Sequence, residues 1–298
     1  MVKNPVGIFL TFIILLAPGN LVFARGVLGS VPGSPEYDKG AQALVDHDYV
    51  KAMKWFKISA HWGYSDAARC VGVLYEKGQG DHQSYSSAYH WYKKAAELGN
   101  ADAFVCIGLL YENGLGRHRS YPKAMAYYQE GAKRGSVSAY NSIGKMYANG
   151  EGVASDYQQA IVWFKKSANQ GDPTSENLLG SFYVLGQGVT QDYPLAFKYF
   201  QHSADKGNSD GCNSLGLMYY MGEGVPRDYS RAYQWFKKSA DQGNARGENL
   251  LGILYEYGQG VAQDKQQAMI WFQKSADQDN SDGRDNLNEL KKRMPSPK

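Results

Sequence analysis

The chain has 298 residues, and its 32 basic and 29 acidic side chains leave a formal charge of +3. That balance excludes the strongly basic surface that nucleic acid binding relies on. With 43% hydrophobic residues, the sequence has enough apolar material for a packed protein.

Taken in order, Lys3 precedes an apolar run from Val6 to Ala17, then Pro18-Gly19, with Val22 and Ala24 spaced as the small residues of a cleavage site. This predicts a secretory signal peptide over 1–24, cut before Arg25. The run is too short for a transmembrane helix, and no later run is long enough to span a bilayer. The expected mature chain therefore has 298 − 24 = 274 residues and is exported, either periplasmic or secreted, with no integral membrane segment. Residues 25–36, rich in Gly and Pro, are expected to form a flexible lead-in. Helical structure should begin near Ser34-Pro35, an N-cap with proline at the first helical position, and the organised part should run over 37–294, leaving 295–298 as a tail.

From there a fixed interval governs the sequence. Tyr49, Tyr85, Tyr121, Tyr157, Tyr193 and Tyr229 stand 36 residues apart, with Lys265 in the seventh place. Each is followed at +3 by alanine (Ala52, Ala160, Ala232 and equivalents) and at +6 and +7 by two aromatics, such as Trp55-Phe56, Trp163-Phe164 and Trp235-Phe236. The i, i+3, i+7 spacing marks one stripe of a helix, and a period of this size marks an array of helical hairpins. Asp or Ser before each tyrosine (Asp48, Ser84, Asp228 and their equivalents) supplies an N-cap, and a glycine such as Gly171 or Gly243 ends the helix. A second cap follows at once, for example Asn100, Asp172 or Asn244. The second helix carries a glycine with a tyrosine three residues on, as in Gly144/Tyr147 and Gly216/Tyr219, and stops at a Gly-x-Gly pair. Glycine inside a helix costs about 1 kcal/mol relative to alanine, so its recurrence implies close approach of a partner helix. The Gly-x-Gly pairs follow helices and lack a third glycine or Lys-Ser/Thr, so they do not read as phosphate loops. The pattern fades after Lys265, and the last helix, roughly 280–294, reads as a lid that keeps Leu287 and Leu290 for its inner side.

Other chemistry is thinly represented. Cys70 and Cys106 fill one slot of neighbouring repeats, too far apart for a disulfide, and Cys212 has no evident partner. The six histidines are scattered, so neither a metal site nor any cofactor is expected. Ser142 and Lys145 match the Ser-x-x-Lys spacing of penicillin-interacting enzymes, but Ser142 falls in the slot of Cys106 and Leu178, and no Ser-Asp-Asn or Lys-Thr-Gly follows. Paired lysines such as Lys165-Lys166 read as the solvated face of one helix type. Trp62 is read either as an exposed partner contact or as packing for the leading helix, the second being preferred. The tryptophan slot is expected to bury its ring between repeats, with Trp163→Ala costing about 3–5 kcal/mol.

With these residues laid out, the sequence resembles the Sel1-like repeat family, relatives of the tetratricopeptide repeats. The segment Leu215 to Gly243 matches the family's pattern almost whole, as does Leu179 to Gly207. The resemblance implies an all-α fold, a right-handed superhelical α-solenoid of about six helical hairpins, with the glycine-bearing helices on a concave face and the tryptophan-bearing helices on a convex one. It also implies a non-catalytic adaptor or scaffold that binds a protein or peptide, of the host or of the cell envelope, with a cell-wall-directed enzyme or glycan binder using Ser142 and Lys145 as the alternative. By similarity to concave tetratricopeptide positions, Asn141, Asn177, Asn213 and Asn249 should form an amide ladder in the groove, with Lys145, Tyr220, Met221, Glu256 and Tyr257 setting specificity. The competing reading has each Asn bonding its own or the adjacent repeat's backbone.

Overall fold

The structure is a computed structural model that describes residues 34–293. The expected signal peptide, most of the lead-in and the tail lie outside the described residues. Among the described residues there are fifteen helices and no strand. Seven open the 36-residue period: α2 (Tyr49–His61), α4 (Tyr85–Glu97), α6 (Tyr121–Lys133), α8 (Tyr157–Ala168), α10 (Tyr193–Asp205), α12 (Tyr229–Ala240) and α14 (Lys265–Asp277). The other eight alternate with them: α1 (Pro35–Val45), α3 (Ser65–Lys77), α5 (Ala101–Asn113), α7 (Val137–Asn149), α9 (Pro173–Leu185), α11 (Ser209–Met221), α13 (Ala245–Tyr257) and α15 (Ser281–Arg293). Two compact units divide the chain between Ala103 and Phe104. Within each unit consecutive helices pack as neighbours, so the fold is an all-α solenoid.

Local chemistry sets the helix ends. The side chain of every expected cap before α2, α4, α6, α8, α10, α12 and α14 accepts a backbone N–H from the first turn, as Asp156 does from Gln159 N at 2.9 Å. Six of these caps, all but Asp48, also close the long loops, since their own N–H donates to the tyrosine carbonyl nine residues back, as from Asp228 to Tyr219 at 2.8 Å. Ser34 caps α1 with Pro35 at its first position, as the sequence predicts. The helix-ending slot needs a positive φ, which the final repeat meets with Asp279 at φ 60° in place of glycine.

Packing corrects one expectation. In each aromatic pair it is the second ring that is fully enclosed: Phe56, Tyr92, Tyr128, Phe164, Phe236 and Phe272 are among the largest buried side chains, whereas Trp163 stays half-buried. The enclosed ring lies directly against the in-helix glycine twenty residues earlier, and a methyl added to Gly216 would stand 2.5 Å from the ring of Phe236. Adjacent residues point about 100° apart on a helix, so only one of the pair can enter this seam. Trp163 instead lies beside Tyr140, with ring centroids 6.0 Å apart, under the Lys166 ammonium at 3.8 Å.

A second join between helices has no counterpart in the sequence reading. The hydroxyls of Ser203, Ser239 and Ser275 donate to the first carbonyl of the preceding glycine-bearing helix, at Pro173, Ser209 and Ala245, over 2.7–2.9 Å. Gly211, Gly247 and Gly283 rest directly on these serines, leaving no room for a Cβ. The last helix, α15, buries Gly283, Leu287 and Leu290 and is otherwise polar, as a lid should be. Trp62 is 71% exposed.

Candidate partner-binding site

In the second unit the glycine-bearing helices α9, α11, α13 and α15 pack on one another in succession, and the tyrosine-led helices make no comparable contact. The side where successive repeats are closest is the inner side of the stack, so the glycine-bearing helices form its inner layer. Helix phase then sorts the side chains of α11. Gly216 faces the next repeat through Phe236, Leu215 is wholly buried, and Leu217, two residues or about 200° further round, is buried too, at 5% exposed.

This phase decides where the amide ladder goes. Asn213 is one turn before Gly216, so it shares the seam with the next repeat and is 1% exposed. Its Nδ2 donates to Asn244 Oδ1 at 2.8 Å, and Asn244 in turn donates to Ser209 Oγ and Asp210 Oδ1. Asn141 repeats the geometry: Nδ2 donates to Asp172 Oδ2 at 3.1 Å, and Oδ1 accepts from Ser175 Oγ. Asn249 Oδ1 accepts from Asn286 Nδ2 at 2.8 Å. Asn177 is buried in the same slot, and its Oδ1, like that of Asn213, has no hydrogen-bond partner. In three repeats the amides thus clasp side chains of the following repeat, two of them at its helix cap, which is a seam inside the stack and not an open groove.

The residues named for specificity divide. Tyr220 is half-buried against Tyr229 and Phe236, with centroids 5.3 and 6.4 Å apart. Glu256 is buried and pairs with Arg293 of the lid at 2.8 Å. Tyr257 is 56% exposed, Met221 is half-buried, and both lie at the inner edge. Leu185, half-buried in the slot of Met221, and Ile253, half-buried in the slot of Leu217 and packed against the buried cluster of Ala268, Phe272, Leu287 and Leu290, extend them into an apolar strip, in which Leu217 itself is closed. The sequence signal for these three was present, since they stand one or five residues after the glycine, in the slots of Lys145, Met221 and Tyr257.

At the other end of the inner layer sits a polar group built on α5, α6 and α7. Tyr128 OH donates to Glu112 Oε2 at 2.5 Å and is in hydrogen-bonding contact with Ser142. Ser142 is therefore partnered by a phenol, and no bond joins it to Lys145, so the Ser-x-x-Lys pair lacks the nucleophile–base contact that acyl transfer needs. Burial, opposed by the Tyr128 hydrogen bond, raises the Glu112 carboxyl above its ordinary range, and burial lowers the Lys145 ammonium. A carboxyl raised in the folded state contributes stability that is fully present below its unfolded pKa and lost as pH rises through the folded one. Glu112→Gln, which keeps an acceptor for Tyr128, should accordingly stabilise the chain at pH 7 by on the order of 1 kcal/mol. In denaturant titrations that advantage should shrink toward zero as pH falls below the ordinary carboxylate range; an advantage that grows on acidification would refute the assignment.

Among the described residues no group of three His, Cys, Asp or Glu side chains is placed to hold a metal ion, and no helix is long and apolar enough to cross a membrane.

The family model described as Sel1 repeat matches residues 34–61, 65–100, 104–136, 137–172, 173–208, 209–244 and 245–280, seven segments where the periodicity counted about six. No curated protein matches the chain significantly. Among solved structures, a protective antigen present in uropathogenic Escherichia coli strains and displaying an SLR fold is similar at 34% identity and TM-score 0.67, covering 87% of this chain and 56% of its own. The chain thus spans little more than half the length of that antigen. A Sel1 repeat protein from Oxalobacter formigenes is similar at 29% identity and TM-score 0.70, covering 82% of this chain and 97% of its own. The immunity protein PA5088 from Pseudomonas aeruginosa, at 20% identity and TM-score 0.54 over 78% of this chain and 88% of its own, shares the fold.

Proposed function

Because the chain belongs to the Sel1 repeat family, whose members are generally protein-interaction scaffolds and generally non-catalytic, we propose that it is an exported, non-catalytic adaptor holding a protein partner on the inner layer of its second unit. The observation that carries this reading is the apolar strip of Leu185, Met221, Ile253 and Tyr257, which stays partly open where the core side chains of the same helices are closed. Apolar surface left accessible on an otherwise polar face is the usual mark of a partner site. Export rests on the pattern of residues 1–24 and agrees with a similar chain being a protective antigen. The amide ladder enters as the clasp that holds successive repeats at the angle the strip requires.

Capture from the exported fraction tests the reading. The chain should retain a protein that is lost on Met221→Glu and kept on Val162→Glu, a change at an exposed position of α8 on the outer layer. Loss with Val162→Glu alone would move the site to the outer layer. Asn213→Ala should lower the melting temperature while leaving capture per folded molecule unchanged, and a labelled β-lactam should leave no covalent adduct.

A further inference from the structure

We infer that the exposed ring of Trp62, in the first unit, is the seat of this chain's own lead-in, with Pro32 against the indole and Val31 beside it. Residues 31–33 lie outside the described residues, and the assignment comes from the point at which the chain enters α1. Ser34, 5% exposed, stands with its hydroxyl 2.9 Å from that of Ser59, and Trp62 follows Ser59 by one turn at the end of α2. Helices α1 and α2 are joined by only Asp46-His47-Asp48, so they run antiparallel. Followed backward out of α1, the chain therefore leaves Ser34 toward the end of α2 that carries Trp62. Three residues of helix rise about 4.5 Å, and two residues of chain extend at most about 7 Å. The lengths match: Pro32 has the reach of the indole and too little chain to travel far from it.

A later repeat shows the same path with both sides described. Ser203 of α10 donates to the carbonyl of Pro173 at 2.7 Å, and Lys206, three residues on, donates to the carbonyl of Gly171, two residues back, at 3.1 Å. The residue that closes a tyrosine-led helix thus lies on the chain entering the glycine-bearing helix before it. Ser59 and Ser34 take the places of Ser203 and Pro173, which sets Trp62 on Pro32.

The chemistry of the slot follows what it meets. Lys206 and Gln278 meet oxygen acceptors of the preceding repeat, at Gly171, Glu176 and Glu248. Trp62 instead meets Val31-Pro32-Gly33, which carries no charge and, at Pro32, no N–H to leave unpaired against the ring. A pyrrolidine ring on the flat face of an indole buries apolar surface on both sides. An outside protein would have to displace a segment tethered two residues away, whose effective concentration is in the millimolar range.

Acrylamide quenching of the purified chain tests this, with the Trp62 signal obtained as the difference from Trp62→Phe. Trp62 should be shielded in the unaltered chain and quenched like free indole once Val31→Asp and Pro32→Asp are made together. That pair and Trp62→Ala should each lower the melting temperature by about 2–4 °C, and combining them should lower it no further than either alone. Trp62→Glu should leave capture of a partner protein unchanged. Equal quenching of Trp62 with and without the aspartates, or losses in melting temperature that add, would overturn the inference. Capture abolished by Trp62→Glu would overturn it too, by giving the ring to the partner. The inner-layer reading of the second unit stands or falls separately, on Met221→Glu.

Discussion

Replacing Phe164 by alanine should cost about 3–5 kcal/mol of stability, the range for emptying a fully buried aromatic site. Trp163→Ala, one residue away, should cost about 1–2 kcal/mol, because part of the indole surface already faces water in the folded state. The order is the test: residue volume alone would rank the tryptophan first. Phe164 is wholly buried, lies on Gly144 and packs 5.9 Å from Phe182, so its removal opens a void between α7, α8 and α9. Trp163 has Tyr140 on one side and the Lys166 ammonium on another, contacts that a solvent-facing neighbour can partly replace. Chemical denaturation of both variants, with unchanged m-values, reads the two losses directly. A Trp163→Ala loss as large as that of Phe164→Ala would mean the seam is assigned to the wrong ring.

Gly216→Ala is the second large effect, and its sign is the informative part. In an exposed helix interior the change stabilises by about 1 kcal/mol, since alanine is the better helix former. Here the new methyl would fall 2.5 Å from Cε1 and 2.6 Å from Cδ1 of Phe236, a ring held in place by burial on all sides. Overpacking of this kind costs about 1–3 kcal/mol or more. The same substitution made together with Phe236→Leu should cost less than the sum of the two singles, because the smaller side chain vacates the methyl's space. A double-mutant cycle measures that coupling; strict additivity would show that Gly216 is kept for some reason other than the ring above it.

Much of this architecture could be read from residue order, for reasons that are local. A cap such as Asp156 bonds an N–H three residues on, and a left-handed residue such as Gly171 ends the helix within its own turn. Both are decided within four residues, so the sequence pattern and the structure agree on them. The in-helix glycines were also legible as sites of close approach, because a residue that weakens its own helix six times over must be repaid in packing. Which body approaches was not legible: Trp and Phe stand side by side in the period, and only the rotation of α8 about its axis selects Phe164 for the seam. The serine–glycine joins at Ser203 and Gly211 were missed for a related reason, since they link helices eight residues apart through contacts to a third.

The site shows the same division more sharply. Asn141, Asn177, Asn213 and Asn249 announce themselves as a ladder, and the sequence alone determined that they lie on one face of four successive helices, together with the period, the caps and the alternation of helix types. Whether that face is a groove or a seam depends on which side of each helix the next repeat stacks against. Stacking is a balance among contacts 30–37 residues apart, such as Asn213 to Asn244, Ser239 to Ser209 and Arg293 to Glu256, and no short window of residues contains it. The tertiary structure buries Asn177, Asn213 and Asn249, leaves Asn141 half-buried, and bonds three of the four to the following repeat, because exposure is a property of how neighbouring repeats are set against each other, whereas helix phase is a property of the chain itself.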